Sequence, residues 1–300
     1  MLIYVETLTQ KWWQQAKERV FVWLTRTSSP LFLRAGDAIS IAPQVTGFHE
    51  KRICDLVQYY ASKGFNDFFV DIGANIGLNT CQSGHLFKEV HCFEPNPDCF
   101  AVLALNTKGV LDSAKVHLHP YGLGTEDGRA QMRVPKKNWG GGFIHDRNNA
   151  YTDEQLLSKD GSSAFDTNNF NMLEISVKSA HQELSTLFRA LQSHHLCRGF
   201  IKIDVEGYES VIVRALSASL PPGFEIVILF ECFNRKIDPY SLIQDQHKSV
   251  RIFKLVRHPE KKIPKLQRAW QILRHGGYRY QLDVFEATAN SSDVVVEINT

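Results

Sequence analysis

Apolar residues recur at helical spacing through the first segment of the chain. Trp12, Trp13, Ala16, Val20, Trp23 and Leu24 alternate with Gln14, Gln15, Lys17 and Glu18, and Ser28-Ser29-Pro30 ends the pattern. Residues 31–33 and 38–41 flank Ala35-Gly36-Asp37 and predict two short strands of a hairpin. Residues 49–62 place Ile53, Leu56, Val57 and Tyr60 on one helical stripe, and Gly64 supplies a C-terminal stop.

Beyond Gly64 the period changes. Strands are predicted at 68–72, 90–93 and from 116 to 118, with helices at 77–87 and 97–106 between them. A polar stretch rich in Asn and Gly runs from about 135 to 171. The alternation resumes with a strand at 200–205, a helix at 208–216 and an apolar run at 225–230. Continuous apolar runs alternating with helices predict an α/β fold with a mostly parallel sheet and helices on both faces. In the tail, 265–275 reads as a helix stopped by Gly276-Gly277, and 278–285 and 294–298 read as a closing strand pair.

Composition narrows the classes. The chain has 300 residues, 43% hydrophobic and 22% charged, which excludes a disordered or fibrous protein. A net charge of +2 gives no overall basic excess of the kind that marks a nucleic-acid binder. No apolar run approaches the ~18 residues of a membrane span, and the N-terminus does not read as a signal peptide. The 6 cysteines form no C-x-x-C pair and read as the reduced thiols of a cytoplasmic protein.

The strongest chemical signal is Phe68-Phe69-Val70-Asp71-Ile72-Gly73-Ala74-Asn75-Ile76-Gly77. A buried strand ends in an acid and enters a glycine turn that opens a helix, a geometry suited to an anionic or polar ligand. The third glycine of the dinucleotide fingerprint is missing, which disfavours a nicotinamide oxidoreductase. His91-Cys92-Phe93-Glu94-Pro95-Asn96 then places Glu94 at a strand end, where an acid accepts both hydroxyls of a ribose.

Together with Gly199-Phe200-Ile201-Lys202-Ile203-Asp204-Val205-Glu206-Gly207-Tyr208-Glu209, these segments resemble the FkbM family of S-adenosylmethionine-dependent methyltransferases. The resemblance implies a Rossmann-like class I methyltransferase fold whose last sheet strand is antiparallel. It implies cofactor-binding roles for Asp71, Gly73, Asn75, Gly77 and Glu94, with Gly122 and Gly124 flanking the adenine. It divides the chain into a helical and hairpin lead at 1–47 and a methyltransferase domain at 48–300, with core motifs in 48–232 and a basic extension in 233–300.

Strand alternation puts Lys202, Asp204 and Glu206 on one face if the strand stays regular to its end. Asp204 and Glu206 are candidates to orient or deprotonate an acceptor, and Lys202 to stabilise negative charge beside them. Glu231, at the end of the next strand, raises a divalent cation as an option outside the expected set. Asn138 and Trp139, in Lys137-Asn138-Trp139-Gly140-Gly141-Gly142-Phe143-Ile144, suit a sugar: indole stacks on its apolar face and amide meets its hydroxyls. This stretch also looks like one in relatives associated with surface-polysaccharide synthesis.

The resulting expectation is a cytoplasmic enzyme that methylates a sugar hydroxyl of a glycan or glycoconjugate. A secondary-metabolite acceptor and a non-catalytic S-adenosylmethionine-binding module are the alternatives. The helical stripe near the N-terminus and ten Lys/Arg against one acid between 248 and 279 leave open peripheral contact with the inner face of a membrane.

Overall fold

The computed structural model describes residues 8–25, 31–34, 36–136, 138–149, 169–232, 238–243, 249–259, 263–275, 277–285 and 292–300. Ser28-Ser29-Pro30, Ala35, Lys137, Gly276 and residues 150–168 of the polar stretch lie outside them, as do Lys248, Glu260, Lys261 and Lys262 of the basic tail. The helices are α1 (Leu8–Thr25), α2 (Ala38–Thr46), α3 (Lys51–Ser62), α4 (Leu78–Ser83), α5 (Pro97–Val110), α6 (Ala180–Ser193), α7 (Glu209–Ser219) and α8 (Lys265–His275). The strands are β1 (Phe68–Ile72), β2 (Glu89–Phe93), β3 (Val116–His119), β4 (Gly122–Gly124), β5 (Gly128–Pro135), β6 (Phe143–Ile144), β7 (Phe170–Ser179), β8 (Arg198–Ile203), β9 (Glu225–Cys232), β10 (Ser249–His258), β11 (Arg279–Val284) and β12 (Ser292–Asn299).

Eight strands form one sheet in the order β11-β10-β12-β9-β8-β1-β2-β3. The five from β9 to β3 are mutually parallel, and β12 runs antiparallel between β9 and β10. β1 is buried throughout, and its alternation divides the core. Phe68, Val70 and Ile72 meet Leu184 and Phe188 of α6 and Ile212 and Leu216 of α7. On the other face Phe69 meets Ile53, Val57 and Tyr60 of α3, together with Phe87 and Leu103. The helices on both faces therefore leave the carboxyl ends of the parallel strands open for a ligand.

Three departures from the sequence expectation have local causes. Residues 38–41 are not a strand but the start of α2, because Asp37 Oδ1 accepts from Ile39 N at 3.2 Å and caps a helix there. The expected closing pair is separated by β10: β11 and β12 each pair with β10 and not with each other. A second sheet, β4-β7-β5-β6, brackets the stretch read as a polar insertion, with only β6 inside it, and α6 follows β7. Leu184, Leu187, Phe188 and Leu191 give α6 a buried helical stripe that sequence periodicity had on offer.

Candidate active site

At the carboxyl end of β1 the chain passes through left-handed conformations at Gly73 (φ 82°), Asn75 (φ 52°) and Gly77 (φ 83°). A Cβ on Gly73 would stand 1.9 Å from the Asp204 carbonyl oxygen, so only glycine lets the turns after β1 and β8 pass each other. Gly77 serves packing: a Cβ there would meet Leu103 Cδ1 at 2.6 Å, and the residue does not line the cavity described below.

Glu94 is held across this turn. Its Oε2 accepts from Asn75 N and its Oε1 from Asn96 N, each at 2.8 Å. Burial pushes its pKa up to about 7 against the pull of those two N–H groups. Asp71 lies beneath the floor, fully buried, and accepts from Thr80 Oγ1 at 2.7 Å and Lys202 Nζ at 3.3 Å. It does not line the cavity; of its two partners, Lys202 does.

Lys202 sits between Asp71 and Asp204, its Nζ 3.3 Å from a carboxylate oxygen of each. Burial opposes its charge, but the two carboxylates outweigh burial and raise its pKa. β8 ends at Ile203, so strand alternation does not carry through to Glu206. Instead Asp204 N extends the ladder to Ile72 O at 2.9 Å, and the chain turns through Glu206 (φ 52°) and Gly207 (φ 104°). Buried Glu209 clamps that turn, accepting from Gly207 N at 3.0 Å and Val205 N at 3.3 Å.

These turns border a cavity of about 260 Å³. Across the sheet its lining runs from Gly122 after β3 and Glu94 after β2, past Gly73 and Asn75, to Lys202, Asp204 and Glu206, and on to Glu231 in β9. Gly124 stays outside, within β4, where a Cβ would meet Val177 Cγ1 at 2.7 Å. Asp204, Glu206 and Glu231 do not converge as a cation-binding trio among the described residues.

Among the polar lining residues, His49, Glu50 and Asn79 escaped sequence reasoning. His49 and Glu50 lie just ahead of α3, their side chains 3.6 Å apart, and Asn79 Nδ2 reaches Glu50 at 3.5 Å. Burial lowers the His49 pKa, Glu50 opposes that, and Lys202 reinforces it. No local motif marks these residues; tertiary packing of α3 and α4 brings them to the cavity.

Residues 138–149 form the remaining wall. Asn138 and Trp139 both line the cavity. Trp139 N donates to Asp37 Oδ2 at 3.2 Å, and the Arg34 guanidinium lies 4.0 Å from the centre of the indole. Asn149 Nδ2 donates to the carbonyls of Ile144 (2.6 Å) and Glu206 (3.0 Å), and Tyr208 donates to Asp146. This wall is thereby tied to the turn after β8.

The lining fits S-adenosylmethionine. Asn75 Oδ1 and Asn79 Oδ1 are buried without a hydrogen-bond partner and border the cavity, where they suit the ammonium of a methionine. Glu94 suits a ribose. The glycine turn after β1, the acid after β2 and an antiparallel β12 between two parallel strands define a Rossmann-like class I methyltransferase.

The family model for the methyltransferase FkbM domain matches residues 71–280, and the chain belongs to that family. It is an S-adenosylmethionine-dependent methyltransferase. No curated protein sequence matches it. Among solved structures it is similar to the O-methyltransferase of Bacillus cereus in complex with SAH (10% identity, TM-score 0.42, covering 100% of this chain and 94% of that one). It is also similar to a SAM-dependent methyltransferase of Agrobacterium tumefaciens (7%, 0.39, 86% and 64%). A third is a putative RNA methyltransferase of Pyrococcus horikoshii (8%, 0.38, 93% and 98%).

Proposed function

We propose that the protein transfers a methyl group to a hydroxyl oxygen of a sugar in a glycan or glycoconjugate. The observation that carries this reading is that Asn138 and Trp139 face the same cavity as the Lys202–Asp204 ion pair. When bound, S-adenosylmethionine would supply an electrophilic methyl carbon, its methyl–sulfur bond breaking as S-adenosylhomocysteine leaves. Asn75, Asn79 and Glu94 hold the donor, with Asp71 and Gly73 shaping the floor. Trp139 stacks on the sugar and Asn138 meets its hydroxyls. Glu206 orients the acceptor, and Asp204 takes the hydroxyl proton as the new carbon–oxygen bond forms. Lys202, fixed by Asp71, keeps Asp204 in place and stays protonated. Residues 138–149 exclude water from the reacting groups.

The test is incubation of the enzyme with S-adenosylmethionine and a panel of glycans, glycolipids and small hydroxylated metabolites, read by mass spectrometry. A gain of one CH₂ on a sugar oxygen is the expected product. Methylation confined to small metabolites, or to nitrogen, overturns the acceptor assignment.

A further inference from the structure

α8 packs the wrong way round for a helix on a globular surface. Leu266, Trp270 and Leu273 are spaced at helical intervals, so they form one stripe. That stripe faces solvent: the three residues are 88%, 59% and 82% exposed. Arg268, Gln271 and Ile272, on the opposite stripe, are the half-buried ones. A surface helix ordinarily buries its apolar stripe against its own core. In α8 the more polar side turns inward and the apolar side outward, an arrangement that suits a partner beyond the fold.

The charges around the stripe select that partner. α8 has no acidic residue. At 3.6 residues per turn, Lys265 and Arg274 fall on opposite flanks of the stripe. The Arg274 guanidinium lies 5.2 Å from the centre of the Trp270 ring. Arg257 and Arg279, near the adjoining ends of β10 and β11, are exposed as well. Leucine and tryptophan on one face with Lys and Arg alongside is the pattern of a helix lying in a membrane interface, its cations at anionic headgroups. A second copy of the chain fits less well. The 11 residues of α8 span only about 16 Å, too little for the ~800 Å² per partner of a stable protein interface. Pairing two such helices would also bring like charges together.

We propose that α8 docks the protein on an anionic membrane surface, with Leu266, Trp270 and Leu273 among the upper acyl chains and Lys265 and Arg274 at headgroup phosphates. The contact does not depend on which acceptor is methylated. It does bear on where the cavity sits. β9 and β10 are both antiparallel to β12, so they run parallel, and β10 ends on the side where β9 ends. That side is the cavity end of the sheet. Gln271 of α8 borders a small pocket together with His258, Pro259 and Arg279, which sets the helix beside the end of β10. Docking through α8 therefore keeps the cavity end of the sheet close to the bilayer.

The experiment sediments the full chain with vesicles of phosphatidylcholine alone, and with vesicles of equal parts phosphatidylcholine and phosphatidylglycerol. Binding to the anionic vesicles, weakened by added salt, is expected. Leu266→Ser and Leu273→Ser should each lower the partition coefficient about tenfold. Lys265→Gln and Arg274→Gln should each lower it about fivefold. All four side chains are exposed, so S-adenosylmethionine should raise Tm in each variant as in the parent. Met172→Ser, at an exposed apolar residue of β7, should bind vesicles as the parent does. No binding to anionic vesicles, equal binding to both kinds, or undiminished binding in the four α8 variants overturns the proposal. Loss confined to Trp12→Ser and Trp13→Ser would move the contact to α1 and overturn it too. So would dimerisation that Leu266→Ser abolishes in a chain that ignores vesicles.

Discussion

Glu94 gives the cavity a pH dependence. Burial raises its pKa to about 7, while its role toward a ribose requires the ionised form, which accepts hydrogen bonds. Affinity for S-adenosylmethionine should therefore fall as pH drops through about 7, and calorimetry across that range reads it. Glu94→Gln should bind more weakly and show a flattened pH profile. Lys202 invites a different measurement. Lys202→Met leaves Asp71 as a buried charge without its ammonium, and breaking a buried pair costs about 3–5 kcal/mol, to be read by urea unfolding. Asp204→Asn should preserve donor binding and lower single-turnover methylation by about 10²–10⁴-fold, the usual worth of a general base. Undiminished transfer would remove Asp204 from the proton step. Glu94, Asp71 and the glycine turn were legible because each is fixed by its own strand end. His49, Glu50 and Asn79 were not, because their convergence depends on how α3 and α4 pack.

At the scale of elements, the cavity is assembled by turns that brace one another. The β1 turn passes the β8 turn at Gly73, Glu209 clamps the β8 turn, and residues 138–149 are bonded to it through Asn149. Asp37 serves two of these pieces at once, capping α2 with one oxygen and holding Trp139 N with the other. Asp37→Ala should therefore cost about 1 kcal/mol of stability for the cap alone. It should also raise the acceptor KM while leaving donor affinity intact, as steady-state kinetics would show. The four alternating residues 38–41 could not by themselves distinguish strand from helix, and the cap decided. β7 escaped notice because several of its outward residues are exposed and polar, so a half-covered strand looked like loop. α6 then went unread behind it, although its stripe was regular.

On the scale of the whole molecule, S-adenosylmethionine should raise Tm in proportion to its saturation, because a ligand that binds only the folded state stabilises it. NAD should not, and a shift with NAD alone would overturn the cofactor assignment. The mostly parallel order of the sheet was legible from its continuous apolar runs, but the partner of each tail strand was not, since a run of Val and Ile suits either neighbour. The basic tail is divided among β10, α8 and β11, with Arg251 paired to Glu297 and Arg257 over Tyr278. Among the described residues no helix is long and apolar enough to cross a membrane, while Trp12, Trp13 and Trp23 of α1 are exposed. The position of β12 has a consequence for biosynthesis. Residues 292–299 fill the gap between β9 and β10, and Thr300 bonds back to Phe224. A nascent chain therefore holds an incomplete sheet, with the apolar edge Ile226, Ile228 and Phe230 open, until residues 292–299 have emerged from the ribosome. The neighbour of β9 is thus synthesised well after it, and the growing polypeptide carries an open apolar edge, an aggregation risk, through that interval.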